Sequence, residues 1–229
     1  MSILPRRFER IKSVLDCRMK NLTVLVEDVN KPHNLSAILR TCDAAGVFEA
    51  NFISKTNAVK TFNSTAQGSQ KWVKINQYKK TTEAIKVLKE KGFKLYGTNL
   101  NPRSIDYRKC DFKGPTAFVL GAEKWGISEE ASSLMDEHIH IPMRGMVESL
   151  NVSVAASALL FEAIRQRQVA NMVPESGEGM SQETYKEKLF EWAYPEVAQW
   201  SKSEGRKYPE LNDKGEIIDN LPRTEKMRY

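Results

Sequence analysis

Apolar and polar residues along this chain fall into blocks of two kinds. Short runs dense in β-branched and aromatic residues, bounded by Gly, Pro or Asn, predict buried strands at Leu22 to Val26, Val47 to Ser54, Trp72 to Asn76, Phe93 to Thr98, Thr116 to Leu120 and His138 to Ile141. Longer blocks with helical spacing lie between them. Asn34 is placed to cap a helix running to Ala45, with Gly46 as its stop. Thr82 to Lys91 is amphipathic and stops at Gly92, Ser128 caps a helix to about Asp136, and Asn151 opens a long helix ending near Gln168. The stretch from Ser54 to Lys80 reads as a long loop with some helix before its strand. Asn101-Pro102 and Gly114-Pro115 frame an irregular segment. Strands alternating with helices predict an α/β fold, a mostly parallel sheet with helices on both faces.

The pattern changes after Val169. Pro174 to Gly179 is rich in Pro, Gly and Ser and reads as a linker. Beyond it, Gln182 to Trp192 and Glu196 to Ser203 predict two short helices, split at Tyr194-Pro195, with Trp192, Tyr194 and Trp200 as anchors to the main domain. The stretch from Tyr208 to Tyr229 is polar and reads as loosely ordered. The expected organisation is a basic N-terminal segment (1–20), a main domain (21–170) and a small helical C-terminal extension with its tail (171–229).

Composition narrows the class. A chain of 229 residues can bury a core without staples, and its cysteines (Cys17, Cys42, Cys110) show no Cys-x-x-Cys spacing, so neither a disulfide framework nor a zinc ribbon is indicated. The N-terminus lacks the apolar stretch of a signal peptide, and the helix around Val152 to Phe161 is too short for a membrane. A cytoplasmic protein with no membrane partner is expected. The net charge of +6 favours a polyanionic partner. From Ser54 to Lys80 there are six lysines and no Asp or Glu, interleaved with amides and with Phe62, Trp72 and Tyr78. Such a stretch suits phosphate contact and base stacking; a solvated lysine face is the plainer alternative.

Candidate chemistry gathers in three islands, each following an apolar run: Asn34 to Arg40, Leu120 to Gly126, and Ile141 to Ser153. In open α/β sheets ligands bind at the carboxyl ends of strands. No Gly-x-Gly-x-x-Gly follows the first strand and no P-loop is present, which disfavours a nicotinamide enzyme or nucleotide hydrolase. His138 and His140 share a strand face but have no third ligand nearby in sequence, so no metal is expected; His33 reads as part of the Pro32 turn. Each island also has a structural reading. Asn34, Ser149 and Asn151 are good helix caps, and Arg40 is placed to pair with Asp43 or Glu27.

Taken together, Asn34 with Arg40, the Gly121-x-Glu123 turn and Ser149-Leu150-Asn151-Val152-Ser153 resemble the three motifs of the SpoU class of RNA 2′-O-ribose methyltransferases, of the SPOUT (α/β-knot) superfamily. The match runs in order from about Leu22 to Gln168. Leu189-Phe190-Glu191, Tyr194-Pro195 and Lys214 to Ile217 are similar to the C-terminal extension of the TrmH-type branch, which methylates the D-loop guanosine of tRNA at position 18. The resemblance implies a deep trefoil knot toward the C-terminus, although physical reasoning alone gives an unknotted sheet. It also implies a homodimer with the active site built across the interface, S-adenosylmethionine as cofactor and tRNA as partner. Carried over, Arg40, Asn34, Glu123, Ser149 and Asn151 are the catalytic candidates, and Thr98, Gly121, Ile141, Ser149 and Leu150 hold the cofactor. Arg6, Arg10, Lys60, Lys71, Lys74 and Arg165 are candidate RNA contacts. An rRNA 2′-O-methyltransferase of the same family is the nearest alternative, and a catalytically silent RNA-binding module the next.

Overall fold

The apolar runs form strands β1 (Leu22–Glu27), β2 (Glu49–Ile53), β3 (Lys74–Tyr78) and β4 (Lys94–Thr98), then a two-residue β5 (Ile105–Asp106), β6 (Thr116–Leu120) and β7 (Glu137–His140). The helices are α1 (Pro5–Asp16), α2 (Pro32–Ala44), α3 (Thr81–Glu90), α4 (Glu129–Ser133), α5 (Val152–Val169), α6 (Gln182–Ala193) and α7 (Pro195–Ser203). The computed structural model describes residues 3–53, 71–122 and 125–218. The chain divides into two compact units, Met19–Val173 and the paired segments Met1–Arg18 and Pro174–Tyr229.

In the larger unit the strands join one sheet in the order β3-β2-β1-β6-β4-β7-β5, every pairing parallel. Two late strands enter between earlier ones: β6 lies between β1 and β4, and β7 between β4 and β5. Strands β1, β2 and β6 are buried along their whole length, as a sheet covered on both faces requires. Val24, Val26, Phe118, Leu120 and Ile139 pack with Leu35, Ile38 and Leu39 of α2 and with Ala156, Leu159 and Leu160 of α5. The alternate residues Leu25, Leu95, Ala117 and Val119 pack with Ala84, Ile85 and Leu88 of α3 and with Ala131 of α4.

Several local expectations are corrected. Helix α2 begins at Pro32, so Asn34 lies inside its first turn and does not cap it. Proline at the first helical position needs no N–H partner and has its φ preset, and it moves the start two residues back. Helix α4 stops at Ser133 instead of Asp136, because Asp136 Oδ2 accepts a hydrogen bond from Leu95 N (2.8 Å) and Oδ1 one from Lys89 Nζ (3.1 Å). Strand β5, in the segment read as irregular, is too short to leave a periodic signal. Ser128 and Asn151 do cap their helices, through Ala131 N and Ser153 N.

The end of α5 is fixed by an unusual staple. Arg167 is buried without a carboxylate, and its guanidinium donates to the carbonyls of Phe112 (3.0 Å), Gly114 (2.8 Å) and Asn21 (3.1 Å) and to Asn21 Oδ1 (2.8 Å). Burial lowers its pKa to about 10, still cationic at neutral pH. The beginnings of β1 and β6 are thereby tied to the C-terminal turn of α5, whose opposite end carries the third motif.

In the smaller unit, α1 was not foreseen as a helix: Phe8, Ile11 and Leu15 form its buried stripe behind a surface of basic residues. Tyr194 Oη accepts from Ile3 N (3.1 Å) and donates to Gly215 O (2.7 Å), joining both ends of the unit's chain. Trp192 is buried here beneath the Arg18 guanidinium. Glu191 gathers Lys188, Lys202 and Tyr208 Oη. Burial alone would raise its pKa, but those donors outweigh burial and lower it from 4.5 to about 2. A depressed carboxyl stabilises the fold fully above its unfolded pKa and loses that contribution as pH falls toward the folded value. Calorimetric melting of Glu191→Gln should therefore show a shallower loss of midpoint than wild type between pH 4.5 and about 2. Parallel losses in the two proteins would contradict this role.

Candidate active site

The turns that follow β6, β4 and β7 leave neighbouring strands at their carboxyl ends, and each is held by its own bonds. After β4, Thr98 Oγ1 donates to Val119 O (2.9 Å). Asn99 Oδ1 lies 2.9 Å from His138 Nδ1 and accepts from Asn101 Nδ2 (3.2 Å). Ser104 Oγ accepts from Asn101 N (2.9 Å) and lies within 2.9 Å of the carbonyls of Asn99 and Asn101. This segment lacks regular structure yet is closely bonded.

After β6, the backbone doubles back so tightly that only glycine fits at the turn's start. A Cβ on Gly121 would stand 1.9 Å from both C and O of Gly126 and 2.2 Å from Ile127 N. Gly126 N donates to Ala122 O (2.8 Å), and Gly126 has φ +66°, the left-handed region. Glu123, the catalytic candidate of this turn, lies outside the described residues.

After β7, the chain runs through Ile141 to Leu150 and enters α5. Asn151 Oδ1 accepts from Ser153 N (2.9 Å) and Ser153 Oγ (2.7 Å), the bonds of an N-cap. That fixes which way the amide points, so Nδ2 is turned to Asn34 Oδ1 at 3.2 Å. Asn34 is buried, held there because α2 and α5 pack on the same sheet face. The first and third motifs, 117 residues apart in sequence, thus meet through one amide pair.

The turns line a half-open cavity of about 390 Å³. Leu120, Ile139, Ile141, Leu150 and Leu159 supply apolar walls; Thr98, Asn99, Glu148 and Ser149 add polar groups. All the cofactor candidates (Thr98, Gly121, Ile141, Ser149 and Leu150) line it. Asn34, Arg40 and Asn151 do not, although Val152, next to Asn151, does. Arg40 is exposed on α2 and makes no ion pair among the described residues, while Glu27 takes other partners. Asn99 and His140 were not foreseen at the site; Trp125 and Glu148 lie inside the Leu120–Gly126 and Ile141–Ser153 islands but were not among the named candidates.

The candidate RNA contacts are scattered. Lys71 is exposed, Lys74 lies 3.5 Å from Glu49, and Arg165 is held by Glu162 through two bonds of 2.7 and 2.8 Å. Arg6 and Arg10 are exposed on α1, in the smaller unit, and Lys60 lies outside the described residues. Among the described residues, no cluster of three metal-ligating side chains occurs and no helix is long and apolar enough to cross a membrane.

A parallel α/β sheet with a small-molecule cavity at the ends of its central strands defines an α/β ligand-binding enzyme fold. The SpoU rRNA Methylase family pattern matches residues 21–161, and that of the SpoU rRNA methylase C-terminal region matches 165–220, so the chain belongs to the SpoU methylase family. The tRNA (guanosine(18)-2'-O)-methyltransferase of Thermus thermophilus is 52% identical over 186 residues, 81% of this chain and 95% of that protein. The crystal structure of the A. aeolicus TrmH/SpoU tRNA modifying enzyme is 38% identical, covers 84% of this chain and 97% of its own, and has a TM-score of 0.73. An AdoMet-bound rRNA methyltransferase from Sinorhizobium meliloti is 30% identical over 66% of this chain and 59% of its own, with a TM-score of 0.58.

Asn151→Ala removes both the cap and the amide that orients Asn34. Chemical denaturation should show a loss of about 1 kcal/mol, the usual value of an N-cap. Stability equal to wild type would mean that the cap contributes nothing to holding the α5 end of the site.

Proposed function

We propose that this chain transfers a methyl group from S-adenosylmethionine to the ribose 2′-oxygen of guanosine 18 in the D-loop of tRNA. The observation that carries the reading is the cavity at the strand ends, lined by all five cofactor candidates, on a chain that matches the T. thermophilus enzyme over nearly that enzyme's whole length. The match to the S. meliloti rRNA enzyme spans much less of that protein, which favours tRNA over rRNA.

The residues present fit the cofactor. A cavity of about 390 Å³ has the size of a small-ligand site. Apolar walls beside turn backbone suit a purine, and the missing Cβ at Gly121 lets a ligand approach the main chain. Glu148 supplies a carboxylate of opposite sign to a sulfonium. When bound, S-adenosylmethionine supplies a methyl group already activated for attack by oxygen. Thr98, Gly121, Ile141, Ser149 and Leu150 would hold it.

The chain's own work is then positioning and charge. Ionising a ribose hydroxyl costs about 1.4 kcal/mol for each unit by which its pKa exceeds ambient pH. Arginine stays protonated near neutrality, so Arg40 does not serve as a base. As a cation it clamps a phosphate of the guanosine and stabilises charge developing on the 2′-oxygen, while phosphate or water takes the proton. Asn34 orients the ribose or Arg40 and is itself aimed by Asn151. Glu123 fixes a donor of the motif loops.

Arg40 is outside the cavity lining, and a homodimer in which each cavity receives Arg40 from the other copy resolves that separation. Support comes from α5, which leaves Val154 and Phe161 exposed, 51% and 48%, on the side opposite its buried stripe. The interleaved strand order is compatible with the trefoil knot implied by the resemblance. Arg6 and Arg10 of α1, and separately Lys71 of the larger unit, are offered as contacts to the RNA, and the proposed setting is the cytoplasm.

Labelled S-adenosylmethionine should mark an unmodified tRNA transcript and leave unmarked one whose guanosine 18 is a 2′-deoxynucleotide. Label in rRNA alone, or in both transcripts, would overturn the substrate. Arg40→Ala should lower kcat by about a hundredfold or more, the scale of losing a charge-stabilising donor, with S-adenosylhomocysteine affinity unchanged. Near-normal turnover would remove Arg40 from catalysis. Sedimentation should find a wild-type dimer and a Phe161→Asp monomer without activity; an active wild-type monomer would overturn the shared site.

A further inference from the structure

Glu27 ends β1 at the centre of the sheet and is buried, with 4% of its surface exposed. Nothing in the reaction proposed above uses it. A carboxylate in such a place is costly unless its oxygens are fully engaged, and here they are. Oε2 accepts from Ser128 N (2.7 Å), and Oε1 accepts from Ser128 Oγ (2.8 Å) and Thr81 Oγ1 (2.6 Å). All three are well-formed hydrogen bonds.

The partners stand at two places that differ in consequence. Thr81 opens α3. Ser128 is the N-cap of α4, and its Oγ accepts from Ala131 N (3.1 Å) while donating to Glu27. Ser128 also ends the turn that begins at Gly121, which forms the cavity wall through Gly121, Ala122, Trp125 and Gly126. The near end of that turn is fixed by β6, whose Leu120 pairs in register with Val26, the residue before Glu27. One strand end therefore holds both ends of the turn, its start through the sheet ladder and its finish through the Glu27 carboxylate.

We propose that Glu27 is a positioning residue for the cofactor: by holding Ser128 it fixes the return of the turn, Trp125 to Ser128, in its binding shape before any ligand arrives. This rests on the reading that the cavity takes S-adenosylmethionine. A preformed turn spares the ligand the cost of ordering it, so loss of the clamp weakens binding while leaving Arg40 and the Asn34–Asn151 pair in place.

The test compares three variants of the full-length protein. Glu27→Met keeps length and removes every acceptor. Ser128→Ala keeps the buried carboxylate and its bond to Ser128 N but removes the hydroxyl link together with the α4 cap. Thr81→Val removes only the bond to α3. Hydrogen exchange on ligand-free protein should show faster exchange from Gly126 to Ala131 in Glu27→Met and Ser128→Ala, and wild-type exchange there in Thr81→Val. Calorimetric titration with S-adenosylhomocysteine should give a Kd raised about tenfold for Glu27→Met, the scale of one lost hydrogen bond. Ser128→Ala should show a smaller rise and Thr81→Val none.

Unchanged exchange and affinity in folded Glu27→Met and Ser128→Ala overturn the proposal. So does an equal loss in Thr81→Val, which would make Glu27 a general brace of the sheet. Should Glu27→Met not fold, Glu27→Gln takes its place, with the Ser128 cap of α4 left intact. A wild-type protein that binds no S-adenosylhomocysteine contradicts the cofactor reading instead, and ligand-free exchange then decides the clamp.

Discussion

Everything at the candidate site depends on two strands being laid between strands that precede them in the chain. With β6 between β1 and β4, and β7 between β4 and β5, three turns far apart in sequence leave adjacent strands at the same edge of the sheet. A sheet that simply added each new strand to its outer edge would spread those turns apart and leave no shared cavity. The insertion is sustained by burial on both faces, since strands as apolar as β1 and β6 are stable only at the centre of a covered sheet.

Close packing at the turns makes that placement exact enough for chemistry. The Gly121 turn doubles back until its backbone leaves no room for a Cβ, and the N-cap of α5 chooses the direction of the Asn151 amide and, through it, meets Asn34. At the far end of α5 the buried Arg167 staples the same helix to the beginnings of β1 and β6. The helix that carries the third motif is thus held by hydrogen bonds at both ends.

How much of this was legible varied with the kind of signal. Strands and helices announced by runs of β-branched residues or by Ser and Asn caps were placed within a few residues. Helix α1 was hidden because four basic residues between Arg6 and Lys12 mask its apolar stripe, and β5 is too short to have a period. Pro32, not Asn34, set the start of α2, a competition between two good starting residues that sequence alone did not decide. Strand order is not written in periodicity at all; the three islands were recognisable as candidates by their chemistry and by resemblance, while the meeting of Asn34 with Asn151 is a property of topology. Glu27 was invisible as a site residue because its donors lie 54 and 101 residues downstream.

Amide hydrogen exchange with and without S-adenosylhomocysteine tests most directly whether these three turns act as one binding surface. Protection is expected in the turns after β4, β6 and β7 together, with the first turn of α5, and no change along β3. Protection in only one of those turns, or at β3 instead, would contradict it.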